Sequence, residues 1–326
     1  MAEQGASSSI DIFVPDHSRG LMVDALVLRA ALQGVPTRII SVPYDCYRRP
    51  QHENDGVLSL EGGGKAALFI ESVFEHRNLF SYGRRILLPN PEWLFASESG
   101  QVSRVVTEFW HKSQLSMDRL SGLFPGSRHV RTGFTTPAVP PGELDFSRFA
   151  HFAGRGQRWR YTQALIDLWL ERPQFPKLTL QAYQMDALNI PCWMRHGNLR
   201  LRMGYLKDTE YLAELAQHGV HLCTSQMEGF GHYINEARSL GALIVTVDAA
   251  PMNELIDPGC GILVPVERSA PRGCGLSSSV SPQALEQAIH AAIAMPPAVR
   301  RSLGSRARER YVREQEAFLA CVRALV

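Results

Sequence analysis

The stretch SQMEGFGHYINEARSLGALIVTVD, residues 225–248, places Glu228 and Glu236 on either side of a glycine-bearing turn. Gly229-Phe230-Gly231 leads into the helical pattern HYINEARSL, which runs on into the apolar strand ALIVTVD. Upstream, GVHLCTS reads as a strand that ends where the turn begins. In open α/β sheets, ligands bind where strands end and helices begin. The two glycines let the backbone come close to a ligand, and the amides at the helix start suit a phosphate. Glu228 on the loop can accept hydrogen bonds from a ligand hydroxyl; Glu236, inside the helix, can reach a second hydroxylated group lying along it. Phosphates in the middle and hydroxyls at both ends describe a sugar nucleotide. By itself the turn fits equally a tight strand-to-helix connection in which Glu228 only favours the helix N-terminus.

The same alternation extends in both directions. After the turn, GILVPV reads as a last strand, and SPQALEQAIHAAI opens a helix with Ser281 as N-cap and Pro282 at its first position. Before it, FAHFAGR, KLTLQA and LRLRMGY read as strands, with helices over RYTQALIDLWL and TEYLAELAQ. In the first half, IDIFVP, PTRIISV, AALFIES, RRILLPN, RVVTEF and RHVRTGF are short apolar or β-branched runs read as strands. The stretch LMVDALVLRAAL reads as a helix ended by Gly34. Alternation of this kind predicts parallel strands with crossover helices. Residues 135–147, TTPAVPPGELDFS, are proline-rich with few large apolar side chains and read as the interdomain linker. The expected organisation is a Rossmann-like domain over 1–140 and a second over 141–300, both doubly wound α/β and facing each other across a cleft. A basic amphipathic helix over 301–326 is expected to pack back on the first domain. The small, polar segment 269–280 reads as a mobile loop.

The pattern EGFGHYINEA resembles the E-x7-E signature of retaining glycosyltransferases of the two-Rossmann-domain GT-B fold, those of family 4 in particular. HFAGRGQRWRYTQALIDLW resembles the opening of that family's donor domain, where a strand ends in Gly-Arg and a second basic residue follows five positions later. Here these are Arg155 and Arg160; the family commonly has lysine then glycine at the second place, and this chain has Arg160-Tyr161. LGALIVTVDAAPMNELIDPGCGILV resembles the segment after the signature, including Glu254. The similarity spans about residues 149–265. It implies that Glu228 holds the donor sugar hydroxyls, Glu236 the nucleotide ribose, and Arg155 and Arg160 the diphosphate. Gly229, Phe230, Gly231 and His232 would complete the phosphate cradle, with the base near Tyr205 and Leu206. Arginine suits phosphate as a two-pronged donor, and fixed cations there stabilise the departing diphosphate more in the transition state than in the ground state.

The first half resembles the family less. Its first strand–helix loop is PDHSRGLM, offering His17, Arg19 and Gly20 where family members often carry Gly-Gly. His111 and Lys112 follow an apparent strand, and Glu92 with Trp93 follows another; each is a candidate for the cleft, and Trp93 fits core packing equally well. EGGGKAAL, at 61–68, lacks the first glycine and the hydroxyl of a phosphate-binding loop and is rejected as one.

The chain has 326 residues, 45% hydrophobic and 20% charged, with a formal net charge of +2. That length fits two ordinary domains. The balance gives no reason to expect nucleic acid as partner, and no apolar run approaches the roughly 20 residues of a transmembrane helix. The polar start MAEQGASSS carries no signal-peptide pattern, and six scattered cysteines, without CxxC spacing, read as cytoplasmic thiols. Eleven histidines form no zinc motif, and no Asp-x-Asp occurs. Without that metal-holding pair, arginines are expected to neutralise the diphosphate, with no metal and no cofactor beyond the nucleotide-sugar substrate. The reading is a cytoplasmic, metal-independent, retaining glycosyltransferase of hexosyltransferase type. Its partners would be a nucleotide-sugar donor and an acceptor that is a glycan, a small molecule or a protein. Another GT-B reaction, such as epimerisation of a sugar nucleotide, and a sugar-nucleotide-binding scaffold remain alternatives.

Overall fold

The computed structural model describes residues 9–62, 64–154, 156, 159–183, 188 and 197–326. Two units form. The first takes residues 1–136, 271–276 and 314–326; the second takes 137–270 and 277–313.

The first unit is built on β1 (Ile10–Pro15), β2 (Thr37–Val42), β3 (Ala66–Glu71), β4 (Arg84–Pro89), β5 (Glu108–His111) and β6 (Arg128–Arg131), with α1 (Arg19–Ala31), α2 (Gln51–Val57), α3 (Ser99–Val105) and α4 (Gln114–Leu123). The strands pair in parallel in the order β2-β1-β3-β4-β5-β6. A parallel sheet covered on both faces needs apolar strands throughout, and β1 is buried at every position. Phe13 stacks on Phe69 at 5.3 Å and meets Phe74 edge-on at 5.4 Å, in a core that Leu87, Phe109 and Leu120 extend. The polar exception is Asp11, buried in β1, which takes a two-pronged bond from Arg38 (both 2.7 Å) and a short one from the Tyr82 hydroxyl.

The second unit carries β7 (Asp145–Gly154), β8 (Leu178–Ala182), β9 (Leu199–Met203), β10 (His218–Cys223), β11 (Leu243–Val247) and β12 (Ile262–Val264), with α5 (Thr162–Glu171), α6 (Asp208–Leu215), α7 (His232–Leu240), α8 (Met252–Leu255) and α9 (Pro282–Ala294). The order is β12-β11-β10-β7-β8-β9, again parallel. Counted within the unit this is 6-5-4-1-2-3, the dinucleotide-fold winding. The chain closes with α10 (Pro297–Leu325). A Cβ on Gly304 would fall 2.0 Å from the Gly241 carbonyl oxygen, so only glycine lets α10 press against the turn that ends α7.

Three expectations are corrected. Arg104-Val105-Val106 is not strand: Val102 and Val105 bury one face of α3, and the strand begins at Glu108. The expected linker runs into β7, which starts at Asp145. The segment read as a mobile loop is a two-stranded hairpin, β13 (Arg268–Arg272) and β14 (Gly275–Ser279). At its tip the Cys274 amide bonds to the carbonyls of Pro91 and Leu94, both at 2.8 Å.

Candidate functional site

The second sheet reverses its winding between β7 and β10, which leaves a crevice above the carboxyl ends of these two strands. Backbone bonds join the two exit loops: the Gln226 amide donates to the Trp159 carbonyl and Thr224 Oγ1 to the Arg160 carbonyl, each at 2.8 Å. Beneath them His151 is buried between the Leu222 carbonyl (2.7 Å from Nδ1) and Thr162 Oγ1 (2.9 Å from Nε2). Nδ1 therefore donates and Nε2 accepts. Burial lowers this imidazole to about 4, and it stays neutral at pH 7.

Arg160 and Glu228 meet in the crevice. Arg160 Nη2 lies 3.3 Å from Glu228 Oε1, with the side chains 21% and 15% exposed. The guanidinium sits 4.1 Å over the Tyr233 ring, and Nη1 donates to the Phe152 carbonyl at 3.1 Å. Ser225 Oγ donates to Glu228 Oε1 at 2.7 Å and lies 2.8 Å from the Tyr233 hydroxyl. Cation, carboxylate and two hydroxyls thus form one connected network.

Helix α7 starts at the crevice. Its N-cap is Gly231 with φ 93°, a left-handed conformation that suits glycine, and the helix ends at Gly241 with φ 79°. The two glycines fix both ends. Gly229 and Phe230 are buried beneath the turn, and half-buried His232 packs against Phe230 at 5.6 Å. Glu236 is half-buried further along α7, where its Oε2 accepts from the Tyr211 hydroxyl at 2.5 Å. Burial, with the Glu236 carboxylate beside it, pushes the Tyr211 phenol well above its ordinary value, so it remains a donor. Tyr205 and Leu206 follow β9; the Tyr205 ring is 63% exposed and Leu206 is half-buried. Gln181 ties this loop to the β7 exit, donating to the Gly204 carbonyl at 2.8 Å and accepting from the Gly154 amide at 3.2 Å. Glu254 lies in α8, where its carbonyl accepts from Arg310. Arg155 lies outside the described residues.

Four participants were not singled out from the sequence: Ser225, Tyr233, Tyr211 and Gln181. The first two stand inside the quoted stretch, within five residues of Glu228, and were in reach. Tyr211 and Gln181 come from other elements and leave no local signal.

In the first unit, Arg19 and Gly20 open α1 and are exposed, and His17 stands 3.7 Å from Glu71. His111 is fully buried. Its Nδ1 lies 2.9 Å from Ser116 Oγ and its Nε2 2.8 Å from His129 Nδ1, and burial lowers it to about 3. Lys112 is buried too, donating to Asp24 at 2.6 Å and Asn90 at 2.8 Å. Both side chains are occupied within the fold. Glu92 is buried against Gly275 of the hairpin, and the half-exposed Trp93 ring lies 4.9 Å beneath the Arg272 guanidinium. Among the described residues no group of three or more His, Cys, Asp or Glu could hold a metal ion, and no helix is long and apolar enough to cross a membrane.

These two parallel six-stranded α/β units share the GT-B architecture of glycosyltransferases. HepE of Anabaena, solved with UDP and glucose, superposes with a TM-score of 0.64 at 14% identity over 98% of each chain. Sucrose-phosphate synthase of Thermosynechococcus elongatus gives 0.62 at 14% identity, also over 98% of each. The lipopolysaccharide outer core galactosyltransferase WaaB gives 0.57 at 11% identity, over 98% of this chain and 100% of that one. The chain spans 56% of the length of TarM and of a chain of the GtfA/B complex. At such identities the likeness is one of fold. No family model matches the sequence, and neither does any curated protein.

Proposed function

We propose that the protein is a retaining, metal-independent glycosyltransferase of family-4 type that takes a nucleotide-diphosphate sugar as donor. The observation that carries this reading is the meeting of Arg160 and Glu228 at the switch point of the second sheet, with Glu236 just over one turn along the helix that starts there. A diphosphate at the start of α7 would face the helix amides and the Arg160 guanidinium, with Arg155 as the second cation. Glu228, already aimed by Ser225, would accept from donor sugar hydroxyls, and Glu236 from the ribose, with Tyr211 fixing its carboxylate. The exposed Tyr205 ring offers a face to the base.

Transfer would break the bond from the anomeric carbon to the phosphate oxygen and form the bond to the acceptor oxygen on the same face. The acceptor's proton would pass to the departing phosphate oxygen, so no protein base is required. Arg160 would act on the charge that grows on that oxygen as the bond breaks. The absence of Asp-x-Asp from the sequence supports cations of the chain, in place of a metal, in this role. The acceptor is a hydroxyl compound handled by the first unit.

A thermal-shift screen of nucleoside diphosphates and nucleotide sugars tests this directly, since a ligand of the folded state raises Tm with its occupancy. A rise with UDP or another nucleoside diphosphate, larger with the matching sugar nucleotide, is expected. No rise across the panel would overturn the reading.

A further inference from the structure

The first sheet has a switch point of its own. From β1 the chain passes to β2 on one side and then to β3 on the other, so the crevice lies over the carboxyl ends of β1 and β3. The residues there are His17, just beyond β1, and Glu71, the last residue of β3. Glu71 has φ 71°, and the Ser72 amide closes a bond to the Ile70 carbonyl at 2.9 Å. That is a γ-turn of the rare, strained kind. Glycine would make this turn without strain; the chain carries a glutamate. Residues held in a strained backbone conformation of this sort collect at ligand sites.

The Glu71 carboxylate faces a different neighbour through each of its oxygens. Its Oε2 accepts from Asn90 Nδ2 at 2.9 Å, while Oε1 points toward His17 Nε2 at 3.7 Å, beyond hydrogen-bond reach. The Glu71 side chain is 14% exposed and that of His17 38%. Burial raises the Glu71 carboxyl above its ordinary value. Next to them lies the Tyr44 ring, 38% exposed, 4.3 Å from the His17 ring and with the Arg48 guanidinium over it at 4.7 Å. Arg48 Nη2 donates to the Tyr44 hydroxyl at 2.9 Å, which fixes the ring.

From this juxtaposition we infer that Glu71, His17 and Tyr44 recognise the acceptor, and that the acceptor at this point is a neutral polyhydroxylated ring. The part of the Tyr44 ring left exposed beside His17 and Arg48 supplies apolar surface for the ring's C–H groups. Glu71 Oε1 accepts from one hydroxyl and His17 shares the same or a neighbouring one. A carboxylate this poorly solvated disfavours an anionic group in the same place. The inference rests on the glycosyltransferase reading and assigns the sugar-facing residues of its second substrate.

The test uses the 326-residue chain and methyl α-D-glucopyranoside, galactopyranoside and mannopyranoside as probes, read by saturation-transfer NMR, beside calorimetric titration with UDP. At least one glycoside should be saturated by the wild-type protein. Its affinity should fall roughly tenfold in Glu71→Gln, where a charge-assisted bond becomes a neutral one, and at least as far in Tyr44→Ala. UDP affinity should be unchanged in both. The glutamine oxygen still accepts from Asn90, so the Tm of Glu71→Gln should match the wild type. Absence of glycoside saturation in the wild-type protein, or equal affinity in wild type and both variants, overturns the assignment. Failure of the wild type to bind UDP or any other nucleotide would instead count against the transferase reading, and the two failures are separately visible.

Discussion

Replacing Arg160 with methionine removes the cation and keeps much of the apolar stem beside Tyr233. At 3.3 Å from Glu228, with an effective dielectric constant of about 20, the gross attraction is about 5 kcal/mol. Desolvation of the pair offsets most of this, leaving a coupling of about 1–3 kcal/mol. Urea unfolding of Arg160→Met, Glu228→Gln and the double variant measures it as a double-mutant cycle. The same substitution bears on the chemistry. Loss of a charged contact to phosphate should weaken UDP binding roughly tenfold, and loss of a group aimed at developing charge should lower kcat roughly 100-fold. Lysine should restore only part of both, since a point charge cannot reproduce the two-pronged geometry. Initial rates at saturating donor, beside calorimetry with UDP, give the two numbers. A coupling within about 0.3 kcal/mol of zero would show the two ions to be independent. Normal UDP affinity and normal kcat together would leave the α7 amides as the phosphate ligands and remove Arg160 from the mechanism.

Glu236→Ala should weaken UDP binding by roughly 1.5–3 kcal/mol, and Tyr211→Phe by less, because the phenol only steadies the carboxylate; unchanged affinity in a folded Glu236 variant would take that residue out of the site. Turnover should survive exhaustive chelation, and activity that vanishes with chelator and returns with magnesium or manganese would show that a metal does what Arg160 is assigned. The protein should be acid-labile. Burial holds His111, His151 and His221 at about 3, 4 and 3 when folded, against 6.5 for the unburied side chain. As the pH falls through 6.5 the unfolded chain takes up protons first, so stability is lost from there down to the folded values. Each buried imidazole costs roughly 2 kcal/mol between pH 7 and 5. A Tm that stays flat over that range would contradict the burial of these rings.

The second unit was read closely from the sequence because its elements are marked locally. Gly231 and Gly241 bracket α7 at the residues where the periodicity begins and ends, and Ser281 caps α9 through the Ala284 amide at 3.1 Å, as its position before Pro282 implied. Where the determinants are distant, reading failed. Val105-Val106 has the composition of a strand, and the core that Val102 and Val105 enter decided for helix. The hairpin at 268–279 has no apolar period; the carbonyls that hold Cys274 lie some 180 residues earlier in the chain. Glu71 carries no local signal for the same reason. A glutamate ending an apolar strand is unremarkable until its φ, its distance from His17 and the neighbouring Tyr44 ring are seen together.

The first unit is not a single length of chain. Phe318 and Val322, both fully buried, arrive on the last helix, where Phe318 meets Phe134 at 5.1 Å and Arg84 bonds to the Leu325 carbonyl at 2.6 Å. A gene cut after Thr136 would therefore yield a half with an open seam where the tail belongs. Exchange of everything beyond that cut for the equivalent stretch of a relative would replace part of the first unit's core along with the second unit. Only a relative whose final turns match this seam could contribute a working second half, so the two halves are best inherited, and engineered, as one piece.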